Sequence, residues 1–203
     1  MALAPITTVA EFKAYAGITS ANQDALIASL IEPCVAAIGA YCNRPFSSAS
    51  VTEYRDGNGS TRMQLAHYPI TSFSSLIIDG KDIPRSVNGG PGYVAILGSR
   101  VVMLVGYKFT ASIRNVVASF VAGYGDEAGA APWPDDLQMA AHLYMLTRIR
   151  ERERIGVGSK ALAGESVTFV DATSGTSGRS GGVPSAAAGI LKNYANTVPE
   201  TGL

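Results

Sequence analysis

The chain has 203 residues, enough for one domain carrying an insertion and a tail. Apolar residues make up 47% and charged residues only 16%, with a formal net charge of zero. That balance excludes a protein held on DNA mainly by phosphate contacts, which carries a basic excess. It suits a chain with little charge to keep its own copies apart.

The start, "MALAPITTVAEF", lacks the basic opening and long apolar run of a signal peptide. No stretch approaches 18 uninterrupted apolar residues, so no membrane span is expected, and the chain is expected to be made in a cytoplasm. Thr8 to Glu11 has the form of a capping box, opening a short helix that Gly17 closes. A second helix begins between Ser20 and Asp24 and runs through 22–42. Its Leu26, Ile27, Leu30, Ile31, Val35, Ile38 and Tyr41 recur at helical spacing. Pro33 lies inside it and is expected to kink or split it. Pro45 pushes Arg44 out of helical space. Cys34 and Cys42 lie eight residues apart on this helix, about 12 Å along its axis. A disulfide needs Cα atoms within about 7 Å, so both read as small buried hydrophobes.

The period then changes to two. "VTEYRD" and "TRMQLAH" flank "DGNGS" and predict a hairpin. "SSLIIDGKDI" predicts a strand and a turn. "GYVAILGSRVVMLVGYKF" predicts a second hairpin about Gly98, Ser99 and Arg100. "IRNVVASFVAGYG" predicts a strand ending at Gly123. Helix returns at 135–154, with Pro134 suited to its first turn and Asp135 and Asp136 opposing its positive end. It is apolar nearly all round over 137–146 and ends at Gly156 and Gly158. A short strand at 165–170 follows, then a glycine-serine linker, "DATSGTSGRSGG", and a last helix within 183–198.

These elements predict an α+β fold: a helical core, an inserted β-rich hairpin block and a tethered C-terminal helix. The expected divisions are 1–49 (core helices), 50–123 (β-rich insertion), 124–170 (central helix and short strand) and 171–203 (linker and docking helix).

Several motifs are weighed and set aside. Gly178 to Gly182 matches G-x-S-x-G, but no strand precedes Ser180 as a nucleophile elbow requires. A serine hydrolase is therefore only a remote alternative. Gly156 to Ala161 follows a helix, so it is a helix stop and not a dinucleotide loop. Asn58-Gly59-Ser60 is a glycosylation sequon by form and a turn by context. His67 and His142 lack ligand spacing and no CxxC occurs, so no metal or other cofactor is expected. His142 on its apolar helix reads as a core or interface histidine. Trp133 reads equally as an interface anchor or a core residue.

Arg148, Arg150, Arg152 and Arg154 alternate with Ile149, Glu151 and Glu153. Their i,i+3 pairs stabilise a helix by about 0.2–0.5 kcal/mol each. Three readings stand: a solvated helix end, a nucleic-acid patch half neutralised by its glutamates, and a two-signed contact surface. Arginine suits the last, because its fork pairs bidentately with carboxylates.

The whole order of elements resembles a known family. It is carried by "AYAGI", "IGAYCNRPF", "EYRDGNG", "LAHYPITSFSSLIIDG", "SFVAGYG" and "PWPDDLQMAAHLYMLTRIRERERIGVGSKALAGESVTF". These resemble the head–tail connector proteins, also called adaptors or head-completion proteins, of long-tailed double-stranded DNA bacteriophages and gene transfer agents. The resemblance covers roughly 5–170, with the last helix in the expected place.

It implies a structural protein of the virion or phage-like particle and not an enzyme. Such a protein forms a dodecameric ring under the portal and lengthens the channel through which DNA passes without sequence-specific binding. A stopper or tail-completion protein docks on it; membership of those neighbouring classes is the main alternative. On this reading Arg148, Arg150, Arg152, Arg154 and Glu165 form a seam between subunits or against the portal. Ile190, Leu191 and Tyr194 of the last helix dock on the portal, and deleting 183–203 should abolish portal binding but leave the core folded. Asp56, Asn58, Ser99 and Arg100 are the expected tail-side hairpin tips. The β block, notably "SVNGGPGYVAILGSR", is longer than the family pattern.

Overall fold

The computed structural model describes residues 5–125, 130–152 and 183–195, and the backbone of 159–162 and 165–168. The fold is α+β, and the chain forms two compact units. One spans 44–132; the other joins 5–43 to 133–195.

The helical unit opens as its caps dictate. The Thr8 hydroxyl accepts the Glu11 amide at 3.2 Å, and the Glu11 carboxylate accepts the Thr8 amide at 2.8 Å. This fixes α1 (Val9–Ala16), which Gly17 ends in the left-handed conformation. Ser20 caps a short 3-10 turn that leads into α2 (Asp24–Cys42), and Lys13 ties α1 to Asp24 at 2.7 Å.

Pro33 does not split α2, which runs unbroken through it. Pro33 is exposed, and so is Ser29, whose carbonyl loses its helical donor. Water can reach that carbonyl, so the cost of the missing bond is small. Only Ile27, Cys34, Ile38 and Cys42 of α2 are fully buried, one stripe along its length. The stretch Ala21–Cys42 reaches the length and mean hydropathy, 1.8, of a membrane span. Its stripe instead packs on α3 (Asp135–Glu151), where the Cys34 thiol points to the Ala141 carbonyl at 3.7 Å. Burial pushes that thiol up to about 12, so it stays an apolar filler.

Helix α3 is not buried all round. Leu137, Ala140, Ala141, Tyr144 and Met145 face the core, while Met139 is 50% exposed. The helix ends at Glu151; the glycines expected to stop it lie outside the described residues. The strand expected at 165–170 is β9 (Glu165–Thr168), and it pairs antiparallel with an unexpected β8 (Ser159–Leu162). The serine-bearing linker lies outside the described residues.

The last helix, α4 (Ser185–Leu191), is not a free tether. It packs on α3 and α2, and Val183, Ala187, Ala188 and Leu191 are at most 1% exposed. Cys42 Sγ approaches the Leu191 carbonyl at 3.6 Å, and the Tyr194 hydroxyl donates to Asp136 at 2.5 Å. The reason is in the sequence: alanines at 187 and 188 let two helices approach closely, and Leu191 fills the space one turn on.

The β unit holds two antiparallel sheets around one apolar core. A four-stranded sheet has the order β1 (Ala49–Gly57), β7 (Ser112–Ala122), β3 (Ile70–Ile78), β4 (Lys81–Ile83). A three-stranded sheet has the order β2 (Arg62–Gln64), β6 (Val101–Val105), β5 (Gly92–Ala95). The central β7 alternates cleanly, with Val116, Ala118, Phe120 and Ala122 inward. The hairpin expected about Gly98 forms as β5 and β6. Asp79 and Gly80 both have positive φ, 52° and 76°, and turn β3 into the short β4, where only a turn was expected.

The hairpin expected about "DGNGS" does not form. β1 pairs with β7 and β2 pairs with β6, so the glycine turn carries the chain from one sheet to the other. The Asn58 side-chain oxygen Oδ1 accepts the Ser60 amide at 2.9 Å, and the Gly59 amide donates to the Phe109 carbonyl at 2.6 Å. Local turn chemistry is the same for a hairpin and a crossover; the long alternating β7 decides the partner. Gly57 sits where a Cβ would lie 1.8 Å from the Thr110 carbonyl oxygen.

Two outcomes follow. Gly57→Ala costs about 1–3 kcal/mol of stability, because backbone must move to admit one methyl; urea denaturation reads it, and an unchanged midpoint contradicts the close approach. Removing 183–203 destabilises the helical unit by about 3 kcal/mol or more, through lost burial at Leu191 and its neighbours. A truncated chain with wild-type thermal unfolding would contradict that packing.

Candidate functional site

The sequence-predicted contact residues fall in different surroundings. Arg148 is half-exposed with its guanidinium over the Tyr144 ring, 5.1 Å from the centroid. Arg150 and Arg152 are exposed at the end of α3. Arg154 lies outside the described residues, and Glu165 opens β9 opposite Leu162. The structure therefore describes a cationic helix end, without showing Glu165 brought to it. Ile190 on α4 and Tyr194 in the 3-10 turn after it are half-exposed, whereas Leu191 is buried by its own chain and offers nothing to a partner while α4 stays in place.

The two expected tips also differ. Asp56 and Asn58 are exposed, and Asp56 accepts the Arg114 amide at 2.6 Å. The turn at Ser99 and Arg100 does not project. The Gly98 amide donates to the Ile70 carbonyl at 2.8 Å, and the Ile70 and Leu65 amides donate to the Ser99 and Arg100 carbonyls at 2.9 and 2.8 Å. The Arg100 guanidinium lies 3.9 Å from the Tyr68 ring centroid.

That turn belongs to a cluster which the sequence reading missed. Glu53 is only 7% exposed. It accepts the Ala66 amide at 3.0 Å, the His67 amide at 2.8 Å and the His67 ring nitrogen Nδ1 at 2.7 Å. Burial pushes the Glu53 carboxyl up, but those three bonds outweigh it and hold it below its usual range. Next to it, Arg44 is 4% exposed and donates to the Tyr68 carbonyl. Its guanidinium lies 3.4 Å from the Tyr68 ring centroid and 4.5 Å from that of Phe46. The Tyr68 ring thus lies against two guanidiniums, those of Arg44 and Arg100. A legible signal existed: in an alternating strand, Glu53 shares the inward face with Val51.

Chemically, this cluster holds a loop. A buried carboxylate with a histidine is also half of a catalytic arrangement, but here two of the carboxylate's three donors are backbone amides of 66 and 67. A pocket beside it is lined by Pro45, Ser47, Ala49, Val51, His67, Tyr68, Ala122 and Gly123. No group of three metal-ligating side chains occurs among the described residues.

The other histidine is structural. His142 Nε2 bonds the hydroxyl of buried Thr7 at 2.8 Å, and its ring meets Phe12 and Tyr15. Burial lowers its pKa, and Glu11 opposes that shift. Trp133 is buried in the core.

The profile of the head completion protein family matches residues 5–197, and the chain belongs to that family. Its fold is similar to that of a chain from the neck of an empty gene transfer agent particle computed with C6 symmetry. There identity is 18%, coverage 100% of this chain and 99% of the other, and TM-score 0.50. It is similar also to a chain of the virion of a native gene transfer agent particle, at 17% identity, 100% and 99% coverage and TM-score 0.51. Among curated proteins none matches.

The carboxylate makes a prediction with a definite sign. A folded-state pKa below the ordinary value gives stability that is present above the ordinary carboxylate range and lost as pH falls through the folded value. Glu53→Gln presents an amide NH2 to N–H donors, so it should cost about 1–3 kcal/mol at neutral pH. It should also flatten the acid dependence of stability. Denaturant titrations at neutral pH and below the carboxylate range check both; equal stability at neutral pH contradicts the clamp.

Proposed function

We propose that this chain is a head–tail connector: a ring-forming adaptor at the neck of a phage-like particle. It sits between the portal and a stopper or tail-completion protein, and lengthens the channel through which DNA passes. The observation that carries this reading is the family match, which runs through both units and nearly the whole chain. The chains of similar fold from the neck of an empty gene transfer agent particle and from a native virion support it.

The surfaces divide accordingly. The exposed end of α3, with Arg148, Arg150 and Arg152, pairs with carboxylates of a neighbouring subunit or of the portal; on this reading Arg154, outside the described residues, adds to the same charge, and Glu165 contributes the opposite sign. Ile190 on the outer side of α4 and Tyr194 in the turn after it face the portal, while Leu191 serves the core. The exposed turn with Asp56 and Asn58 faces the tail side. Catalysis has no part in this reading, since the Glu53–His67 pair fixes a loop. A net charge of zero suits a channel wall along which duplex DNA slides without being held.

Capture assays test the assignment. The chain should retain the portal protein of its own particle, and Arg150→Glu with Arg152→Glu should weaken that capture or self-association by about tenfold or more. Capture of tail components alone, with the portal ignored, would make it a tail-side protein instead. Reversal variants that behave as wild type would remove the arginines from the interface.

A further inference from the structure

Strand β1 is nine residues long and lies at one side of its sheet; among the described residues no strand pairs with its outer side. An open edge is a row of N–H and C=O groups ready for another strand, which proteins guard with charge, proline or a bulge. Here the guards sit in the far half: Glu53, Arg55, Asp56 and a register shift between Arg55 and Gly57. The first four residues, 49–52, read Ala-Ser-Val-Thr and carry none. The pocket lined by Pro45, Ala49, Val51 and His67 opens beside this unguarded stretch. An edge with a pocket beside it can give an added strand both backbone bonds and a seat for one side chain.

The same chain holds a strand pair without a sheet. Among the described residues, β8 and β9 pair with each other and join neither larger sheet. Each has four residues, the length of the unguarded stretch of β1. A lone two-stranded hairpin is marginally stable in water and gains from a third strand.

We infer that the β8–β9 hairpin of one copy adds to the β1 edge of the next copy, at residues 49–52. One chain then offers a hairpin and receives another at a different place, the heterologous contact from which rings close. This inference rests on the ring reading above and names the contact that would build the ring.

Two full-length variants test it by complementation. In the first, residues 159–168 are replaced by a glycine-serine segment and the edge is intact. In the second, Ser50→Lys and Thr52→Lys put like charges along the exposed edge and the hairpin is intact. Sedimentation velocity should show wild type growing with concentration, each variant alone monomeric, and their equal mixture stopping at a dimer. Amide exchange on wild type, which needs no variant, should slow by about tenfold or more at 49–52 and at 159–168 on assembly. A hairpin-replaced chain that assembles like wild type, or a mixture that stays monomeric, overturns the strand contact and leaves the ring reading standing. A wild-type chain that forms no oligomer, alone or on its portal, overturns both.

Discussion

A carboxylate almost removed from water must be satisfied or neutralised, and Glu53 is satisfied. Its three N–H donors all come from Ala66 and His67, so it fixes one short loop. That loop joins β2 of one sheet to β3 of the other. Leu65 and Ile70 at its ends take the carbonyls of Arg100 and Ser99, and the Pro69 carbonyl accepts the Gly123 amide at 3.0 Å. Arg44 and Arg100 then hold Tyr68 from two sides. Glu53 thus ties the loop that joins the two sheets, beside the pocket at β1, while the shared apolar core packs the sheets themselves. Replacing either partner of such a group costs more than the bonds themselves, since the survivor stays buried.

The helical unit rests on a different principle. Its interior combines large side chains such as Phe12, Ile27, Ile38 and Leu137 with small ones at close approach: Cys34 against Ala141, Cys42 against Leu191, Ala187 and Ala188 in the seam with α3 and α2. Dispersion and apolar burial hold it, with Thr7–His142 and Tyr194–Asp136 fixing the ends. Because α4 is part of this interior, it cannot also be a detachable arm without cost. An interface built on α4 therefore uses its outer side and the charged end of α3.

Local signals were legible in the sequence, and long-range pairings were not. The Thr8–Glu11 box, the stripe of α2, Pro134 before α3 and the alternation of β7 each name their element through chemistry within a few residues. The mispairing of β1 with β2 arose because a glycine turn says where a chain bends and not which strand it meets. Pro33 misled because the cost of a missing bond depends on whether water reaches the orphaned carbonyl. Glu53 stood in plain sight at an inward position, but its donors lie thirteen and fourteen residues away. The tethered look of α4 came from the linker before it, whereas its burial comes from alanine spacing.

On the proposed reading the working parts are surfaces and not a cleft: the arginine-rich end of α3, the open edge of β1 and the exposed turn at Asp56 and Asn58. The most direct measurement is electron microscopy of the purified chain mixed with the portal protein of its own particle. The account predicts rings that cap and lengthen the portal's narrow end. Portals left unchanged, with the chain in separate particles, would contradict it.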